Sequence, residues 1–243
     1  MTIELRYAAA TDVGLVREVN EDAHLAAPPV FLVADGMGGH AGGDVASAIV
    51  AEELSRLAGT TYDADAAVRA VRDALEASQR RIEEHAAGRR GRAAPGTTVA
   101  AVVLVEAPEP SWLVVNLGDS RVYRWQDGAL RQVSRDHSLV QDLLDSGDIT
   151  EDQVADHPER HVITRALGSP GFTEPDLFWL AVEEADRLLV CSDGVHGLLD
   201  DGTIGDILAS EPDAAGAVQA LVAAALDAGG EDNATAVVVD VVG

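Results

Sequence analysis

The chain contains no lysine: all 17 of its basic residues are arginine, against 42 aspartates and glutamates among 243 residues. The absence of lysine excludes Schiff-base catalysis and a Walker-type phosphate loop, because both need an amine. The formal net charge of −25 argues against binding to nucleic acid or to an anionic membrane, since cationic side chains recognise both. The chemistry of this chain is therefore expected to rest on its acidic residues.

Cysteine and long apolar runs are also scarce. Cys191 is the single cysteine, so no intramolecular disulfide can form, and a reducing cytoplasm is the expected compartment. No apolar run approaches the ~20 residues that a bilayer-spanning helix needs, so no membrane segment is expected within this chain. Hydrophobic residues still make up 47% of the sequence, which is ample for one large domain.

The order of apolar and polar residues predicts roughly ten strands and three or four main helices. Helices are predicted at about 44–57, 64–87 and 213–228, and the stretch from 137 to 168 is polar and helical in pattern. Strands are predicted at 3–11, 22–26, 30–35, 98–105, 112–117, 121–126, 129–133, 175–182, 186–192 and 233–242. Because many strands follow one another as hairpins, the pattern favours antiparallel sheets with helices packed outside.

Four aspartates lie at the ends of apolar runs. Asp35 and Asp193 each follow such a run and precede a glycine, while Asp119 and Asp232 adjoin two further runs. Any single Asp-Gly pair also fits an ordinary turn. Four carboxylates at strand ends instead suggest one shared cationic centre, because anions do not converge without one. Oxygen ligands without Cys or His at ligand spacing favour Mg²⁺ or Mn²⁺ over Zn²⁺.

A charged segment between the first two predicted strands contains Arg17, Asn20, Glu21 and Asp22. A site that binds a phosphoryl group needs a guanidinium group beside carboxylates. The guanidinium donates two hydrogen bonds to phosphate oxygens, and the carboxylates bind the metal. By itself, the segment fits an exposed charged loop equally well.

Together these segments resemble the metal-dependent serine/threonine protein phosphatases of the PPM (PP2C-type) family. The matching stretches follow the family's order from residue 17 to residue 233: Arg17-x-x-Asn20-Glu21-Asp22, Asp35-Gly36-Met37-Gly38-Gly39-His40, Gly96-Thr97-Thr98, Gly118-Asp119-Ser120-Arg121, Ser192-Asp193-Gly194 and Asp232-Asn233. Two further stretches resemble the bacterial branch: Asp136-His137-Ser138-Leu139-Val140 and Ile163-Thr164-Arg165-Ala166-Leu167-Gly168.

The resemblance implies an α+β fold, with a central β-sandwich of two mainly antiparallel sheets flanked by helices on both outer faces. It implies one phosphatase domain over residues 1–243, in which about 137–170 form a flap-like insertion beside the active site. An insertion at that place is expected to tune substrate choice.

The resemblance also implies which residues hold metal. Asp35 would bridge two Mn²⁺ or Mg²⁺ ions, the Gly36 carbonyl would bind one of them, and Asp193 and Asp232 would complete the other. Asp119, together with Asp193, would hold a weaker third ion.

Other residues take supporting roles in this scheme. Glu21 and Asp22 would hold metal-bound waters, Asn233 would orient Asp232, and Arg17 would clamp the substrate phosphate.

One position departs from the pattern of many eukaryotic members. Met37 follows the first Asp-Gly, where those members carry a histidine assigned as the general acid. The candidates for the proton donor are His40 and a water on a third metal. The remaining histidines are expected at the surface or in packing, although His137 and His161 could touch substrate.

The resemblance implies hydrolysis of phosphoserine and phosphothreonine in proteins by a water activated between two divalent cations, without a covalent phosphoenzyme. The expected enzyme is a cytoplasmic monomer that opposes bacterial serine/threonine kinases, with phosphorylated proteins as partners.

Other functions compete for parts of this pattern. A two-carboxylate hydrolase such as a glycosidase would work without metal and would leave Arg17, Asp119 and the Asp-Gly pairs unexplained. A stress-response phosphatase dedicated to one regulatory partner often lacks the clamping arginine, whereas Arg17 is present. A pseudophosphatase that serves as a binding module should have lost ligands, yet Asp35, Asp193 and Asp232 are all present. A cysteine phosphatase needs an arginine shortly after its nucleophile, where this chain has Gly197, so Cys191 is interpreted as a buried strand residue.

Overall fold

The structure is a computed structural model that describes residues 3–38, 42–87, 94–106, 109–154 and 157–242. The strands are β1 (Glu4–Asp12), β2 (Asp22–Ala27), β3 (Val30–Met37), β4 (Gly96–Thr97), β5 (Val99–Val105), β6 (Ser111–Leu117), β7 (Arg121–Gln126), β8 (Ala129–Gln132), β9 (Asp176–Ala181), β10 (Arg187–Cys191) and β11 (Ala234–Val242). The helices are α1 (Gly43–Ser55), α2 (Ala64–Ala87), α3 (Leu139–Ser146), α4 (Glu151–Val154), α5 (Asp193–His196), α6 (Asp201–Ser210) and α7 (Ala214–Asp227).

The strands form two antiparallel sheets. One has the order β1-β11-β10-β7-β8, and the other has the order β2-β3-β5-β6-β9, with the short β4 paired to β3. The predicted hairpin between β7 and β8 turns at Asp127 and Gly128, whose φ angles are 52° and 76°. Two consecutive left-handed residues match the twist of the flanking strands, which explains the Asp-Gly pair.

Three apolar layers hold the sheets and helices together. In β3, Phe31 and Val33 belong to the layer between the two sheets, and Leu32 and Ala34 belong to the layer under α1 and α2. A third layer joins the other sheet to α5, α6 and α7. Because both faces of a central strand are buried, its sequence is a continuous apolar run rather than an alternating one. The prediction of a sandwich with helices on both outer faces is confirmed.

Several elements differ from the predicted pattern, among them the short β4 and α5, which were not predicted. Helix α6 was not predicted, because Gly202 and Gly205 lower the helix propensity of its sequence. Asp200 caps the helix, since its side chain accepts a hydrogen bond from the Thr203 N–H at 2.7 Å. In the segment from 137 to 168, only α3 and α4 are helical among the described residues. Gly147 ends α3 with a φ of 80°, so no continuous helix forms there.

Strand register brings the predicted acidic residues to one edge of the sandwich. Asp22 of β2 lies opposite Asp35 of β3. In the other sheet the end of β10 pairs with the start of β11, so Asp193 and Asp232 lie just beyond the same edge. None of the helices among the described residues is both long and apolar enough to cross a bilayer.

Gly194 allows α5 to lie directly against the start of β11. A Cβ at this position would lie 2.0 Å from the carbonyl oxygen of Asn233. Real Cβ atoms do not approach a backbone oxygen so closely, so any larger residue must separate these two segments.

We predict that Gly194→Ala destabilises the fold, because the added methyl group forces the backbone of α5 away from β11. Overpacking of this kind costs ~1–3 kcal/mol, measured as the free energy of unfolding in urea. The matched control is Gly205→Ala in α6, where a Cβ would lie 3.6 Å from the Leu130 Cβ. That change should be neutral or stabilising, and equal losses in both variants would contradict the prediction.

We predict that the Cys191 thiol does not react in the folded protein. Its side chain is fully buried, and burial raises its pKa to about 12. The reactive thiolate is therefore scarce at every pH below that value. Ellman's reagent at pH 8 should label the native chain at least ~100-fold more slowly than the urea-unfolded chain, because labelling requires opening of the core. Rapid labelling of the native protein would show that the thiol is exposed.

Candidate active site

The four aspartates at strand ends line one cleft at the edge between the two sheets. The cleft has a volume of about 800 Å³ and is lined by Asp35, Asp119, Asp193 and Asp232. Residues of the 137–163 segment, which include Val140, Gln141, Leu144, Arg160, His161 and Ile163, line the cleft as well. The four aspartates are as much as 197 positions apart in sequence, and they line the same cleft.

Hydrogen bonds from the Gly96-Thr97-Thr98 segment fix the backbone of Asp35. The Asp35 N–H donates to Thr98 Oγ1 at 2.9 Å. The Asp35 carbonyl accepts from the Thr98 N–H and from Thr97 Oγ1, both at 2.9 Å. With both polar groups of its peptide engaged, Asp35 has a defined backbone, and only its carboxylate remains for chemistry in the cleft.

Asp22 lies beside Asp35 on the neighbouring strand and is held from the other sheet. Its Oδ2 accepts a hydrogen bond from the Ser192 hydroxyl at 2.8 Å. The Ser192 hydroxyl oxygen in turn accepts a hydrogen bond from the Thr235 N–H at 3.1 Å. Burial, together with the charges of Asp193 and Asp232, raises the pKa of Asp22 to about 7. The negative charges of the cleft thus contribute to the raised pKa of Asp22.

Asp119 and Asp193 each have one buried carboxylate oxygen without a hydrogen-bond partner among the described residues, Oδ1 in both cases. Burial, followed by the charge of Asp193, raises the pKa of Asp119 to about 8. Burial also raises the pKa of Asp193, with Asp232 as the next cause, and holds the pKa of Asp35 well above its usual range. A buried carboxylate without a partner is costly, so these oxygens favour a cation.

Arg17 reaches the cleft from the loop before β2. Its Nη2 donates to Asp232 Oδ2 at 2.6 Å, while 54% of the Arg17 side chain remains exposed. The hydrogen bond to Asp232 raises the pKa of Arg17, and the charges of Asp193 and Asp35 act in the same direction. Arg17 is thus a permanent cation at the mouth of an acidic cleft.

Asn233 connects the Arg17 loop to the start of β11. Its side-chain amide donates to the carbonyls of Val13 and Val19 at 2.9 and 3.0 Å, and its Oδ1 accepts the Glu21 N–H at 2.8 Å. The Asn233 N–H donates to Asp232 Oδ1 at 2.8 Å. Asn233 therefore contacts Asp232 through its backbone N–H and the loop that carries Arg17 through its side chain.

Gly36 permits three backbone segments to meet behind Asp35. Its N–H donates to the Glu21 carbonyl at 3.2 Å. A Cβ at Gly36 would lie 2.3 Å from the Gly43 carbonyl oxygen and 2.5 Å from that of Glu21.

Burial, followed by the charge of Asp44, raises the pKa of Glu21.

Two further motifs of the sequence interlock beside Asp119. Arg121 pairs with both carboxylate oxygens of Asp136, at 2.7 to 3.0 Å. The Gly118 N–H donates to His137 Nδ1 at 3.0 Å, and the His137 N–H donates to the Gly118 carbonyl at 2.9 Å. The turn after β6 is therefore fastened to the first residues of the 137–170 segment.

Sequence reasoning missed the role of two histidines in this turn. His137 is buried, and His196 donates from Nε2 to the Asp119 carbonyl at 3.0 Å, across 77 positions of sequence. The one available signal was that His196 lies three residues after Asp193, at the other end of α5. His40, a predicted candidate for the proton donor, lies outside the described residues.

The described part of the chain contains no group of three or more His, Cys, Asp or Glu side chains arranged to hold an ion as they stand. One of the predicted ligands, Asp232, is paired with Arg17 instead. The donor set nevertheless fits hard divalent cations, because its members are carboxylate oxygens and two of them are buried without partners.

Comparison with known proteins identifies the family. A family model described as Protein phosphatase 2C matches residues 16–236. Serine/threonine protein phosphatase PstP of Mycobacterium tuberculosis (strain CDC 1551 / Oshkosh) is 40% identical over 248 residues, covering 100% of this chain and 46% of that protein. This chain thus spans about half the length of that relative. Serine/threonine phosphatase stp of Listeria welshimeri is 34% identical over 238 residues, covering 95% of this chain and 93% of that protein.

A solved structure shares the whole fold. It is the crystal structure of the catalytic domain of serine threonine protein phosphatase PstP in complex with two manganese ions, with a TM-score of 0.89, 38% identity and coverage of 100% of both chains. The family that the motifs resemble is thereby confirmed from sequence and from structure. This chain belongs to the protein phosphatase 2C family.

Proposed function

We propose that this chain is a metal-dependent phosphatase that hydrolyses phosphoserine and phosphothreonine in proteins. The observation that carries the proposal is the convergence of Asp35, Asp119, Asp193 and Asp232 on one cleft that also receives Arg17. The names of its relatives and the manganese ions of the PstP structure support the same reaction.

The carboxylates of the cleft would hold two core ions, Mn²⁺ or Mg²⁺. Asp35 would bridge them, with the Gly36 carbonyl on one ion and with Asp193 and Asp232 on the other. Asp119, with Asp193, would hold a weaker third ion. When bound, divalent cations in such a site acidify water and neutralise the charge of phosphate oxygens. Their charge would also offset the burial and the mutual repulsion that raise the pKa values of Asp35, Asp119 and Asp193.

Arg17 would bind the substrate phosphate through its planar fork of donors. The exposed part of its side chain lies at the mouth of the cleft, so it can exchange Asp232 for phosphate oxygens. Asn233 would orient Asp232 through the hydrogen bond between its N–H and Oδ1. Glu21 and Asp22 would hold waters around the cations.

Residues 1–243 would act as one phosphatase domain, with about 137–170 as a flap that forms a wall of the cleft. The position of Val140, Leu144 and Ile163 along that wall supports this role. We expect a cytoplasmic monomer that opposes bacterial serine/threonine kinases by acting on the kinases and on their substrates. A single fully buried cysteine is consistent with a reducing compartment.

We predict that Asp35→Asn and Asp193→Asn each lower kcat/KM for a phosphothreonine peptide at least ~100-fold, because each removes a charge that would hold a core cation. EDTA should abolish turnover by the unmodified protein, and Mn²⁺ should restore it. The matched control is Asp127→Asn in the exposed hairpin turn, which should leave the rate unchanged. Turnover that needs no metal and survives both cleft substitutions would overturn the proposed function.

We predict that Arg17→Ala raises KM for the peptide ~10-fold or more, since a hydrogen bond to a charged group contributes ~1.5–3 kcal/mol. Arg17→Lys should give an intermediate KM, because an ammonium group cannot bind phosphate as a fork. Arg6→Ala, on exposed β1, serves as the control for the loss of one positive charge. An unchanged KM in Arg17→Ala would argue against the phosphate clamp.

A further inference from the structure

We infer that His196 is a positioning residue that sets the separation of Asp119 and Asp193, and thereby the affinity of the cleft for its weakest divalent cation. The inference rests on the proposed function, since it concerns a residue that supports two of the proposed ligands. Neither the motifs of the sequence nor the family comparison pointed to His196.

The short helix α5 carries both Asp193 and His196. Asp193 is the first residue of this one-turn helix and His196 is the last, so the two side chains move with one rigid unit. His196 Nε2 donates to the carbonyl oxygen of Asp119 at 3.0 Å. Because a carbonyl can only accept, Nε2 carries the proton. The imidazole therefore links the helix that carries Asp193 to the peptide of Asp119.

The Asp119 turn is held on its other side by a second histidine. The two hydrogen bonds between Gly118 and His137 fix the residue before Asp119, and Gly118 itself has a φ of 108°. His196 acts on the next carbonyl along the chain. The two histidines thus hold consecutive peptides of one turn, but only His196 ties that turn to the helix of Asp193.

The carboxylates on either side of this link are poised to bind a ligand. Asp119 is 6% exposed, and the Oδ1 atoms of Asp119 and Asp193 have no hydrogen-bond partner among the described residues. No hydrogen bond to either Oδ1 atom fixes its position among the described residues, so the placement of these oxygens depends on the two backbones. A link between those two backbones controls how well the free oxygens fit one cation.

His196 acts on Asp119 through geometry, because the hydrogen bond of its Nε2 is made to the carbonyl of Asp119. Loss of this hydrogen bond should change the placement of Asp119 while the carboxylates of Asp119 and Asp193 are both retained.

The test measures Mn²⁺ binding by isothermal titration calorimetry on the full chain, with His196→Leu, His196→Gln and His196→Asn. Leu removes the hydrogen bond and keeps similar bulk. The longer Gln amide can reach the position of Nε2, whereas the Asn amide is too short. We expect the weakest Mn²⁺ site to bind ~10–100-fold less tightly in the Leu and Asn variants, and within ~3-fold of the unmodified chain in the Gln variant.

Val218→Ala in α7 is the control for a general loss of stability. Val218 is buried in the same apolar layer as α5 but does not line the cleft. It should lower the midpoint of thermal unfolding without weakening any Mn²⁺ site. If His196→Leu does not fold, the comparison of the Gln and Asn variants decides the question with two polar side chains.

The outcomes separate this inference from the proposed function. If the unmodified chain binds no Mn²⁺, the proposed function itself is wrong. If it binds Mn²⁺ and the Leu and Asn variants bind the weakest ion equally well, His196 serves only in packing and the inference is overturned. A loss of affinity in Val218→Ala as large as that in His196→Leu would also overturn it.

Discussion

The burial of several carboxylates close together is the constraint on which this structure depends. Asp22, Asp35, Asp119 and Asp193 all have raised pKa values because burial and neighbouring anions act together. Burial of four anions at one edge of a sandwich costs free energy unless their charge is compensated. The arrangement becomes favourable when positive charge is shared among them. Arg17 supplies one such charge, with its Nη2 2.6 Å from Asp232 Oδ2. The rest of the fold must hold the anions together against their repulsion.

The sandwich meets this demand by fixing the backbone of the residues that carry the anions. Central strands buried on both faces end at the cleft, and the peptide of Asp35 is held on both its polar groups by Thr97 and Thr98. Gly36 and Gly194 permit backbone approaches that no larger residue allows. The turn after β6, which carries Asp119, is hydrogen-bonded to the start of the 137–170 segment. The same contacts therefore hold Asp119 and the segment that lines the cleft.

Local signals were enough to predict most of the elements. Helix α2 runs from Ala64 to Ala87 as predicted, because its apolar residues recur at three and four positions over six turns. The hairpin at Asp127-Gly128 followed from turn chemistry alone. Helix α6 was missed because Gly202 and Gly205 lower helix propensity, and its tertiary packing through Ile204 and Leu208 outweighs that loss. Four aspartates at strand ends could be recognised because each adjoins an apolar run.

The longer strands, the charge balance and the acidic residues could be predicted from the amino-acid order, since these depend on neighbours within a few positions. The pairing of Arg17 with Asp232 and the hydrogen bond from His196 to the peptide of Asp119 could be seen only in the folded chain. Those contacts join residues 215 and 77 positions apart, so they exist only once strand register and helix packing are established. Hydrogen-bond geometry across such distances has no periodic signature in a sequence, because the chain between the partners can follow many paths.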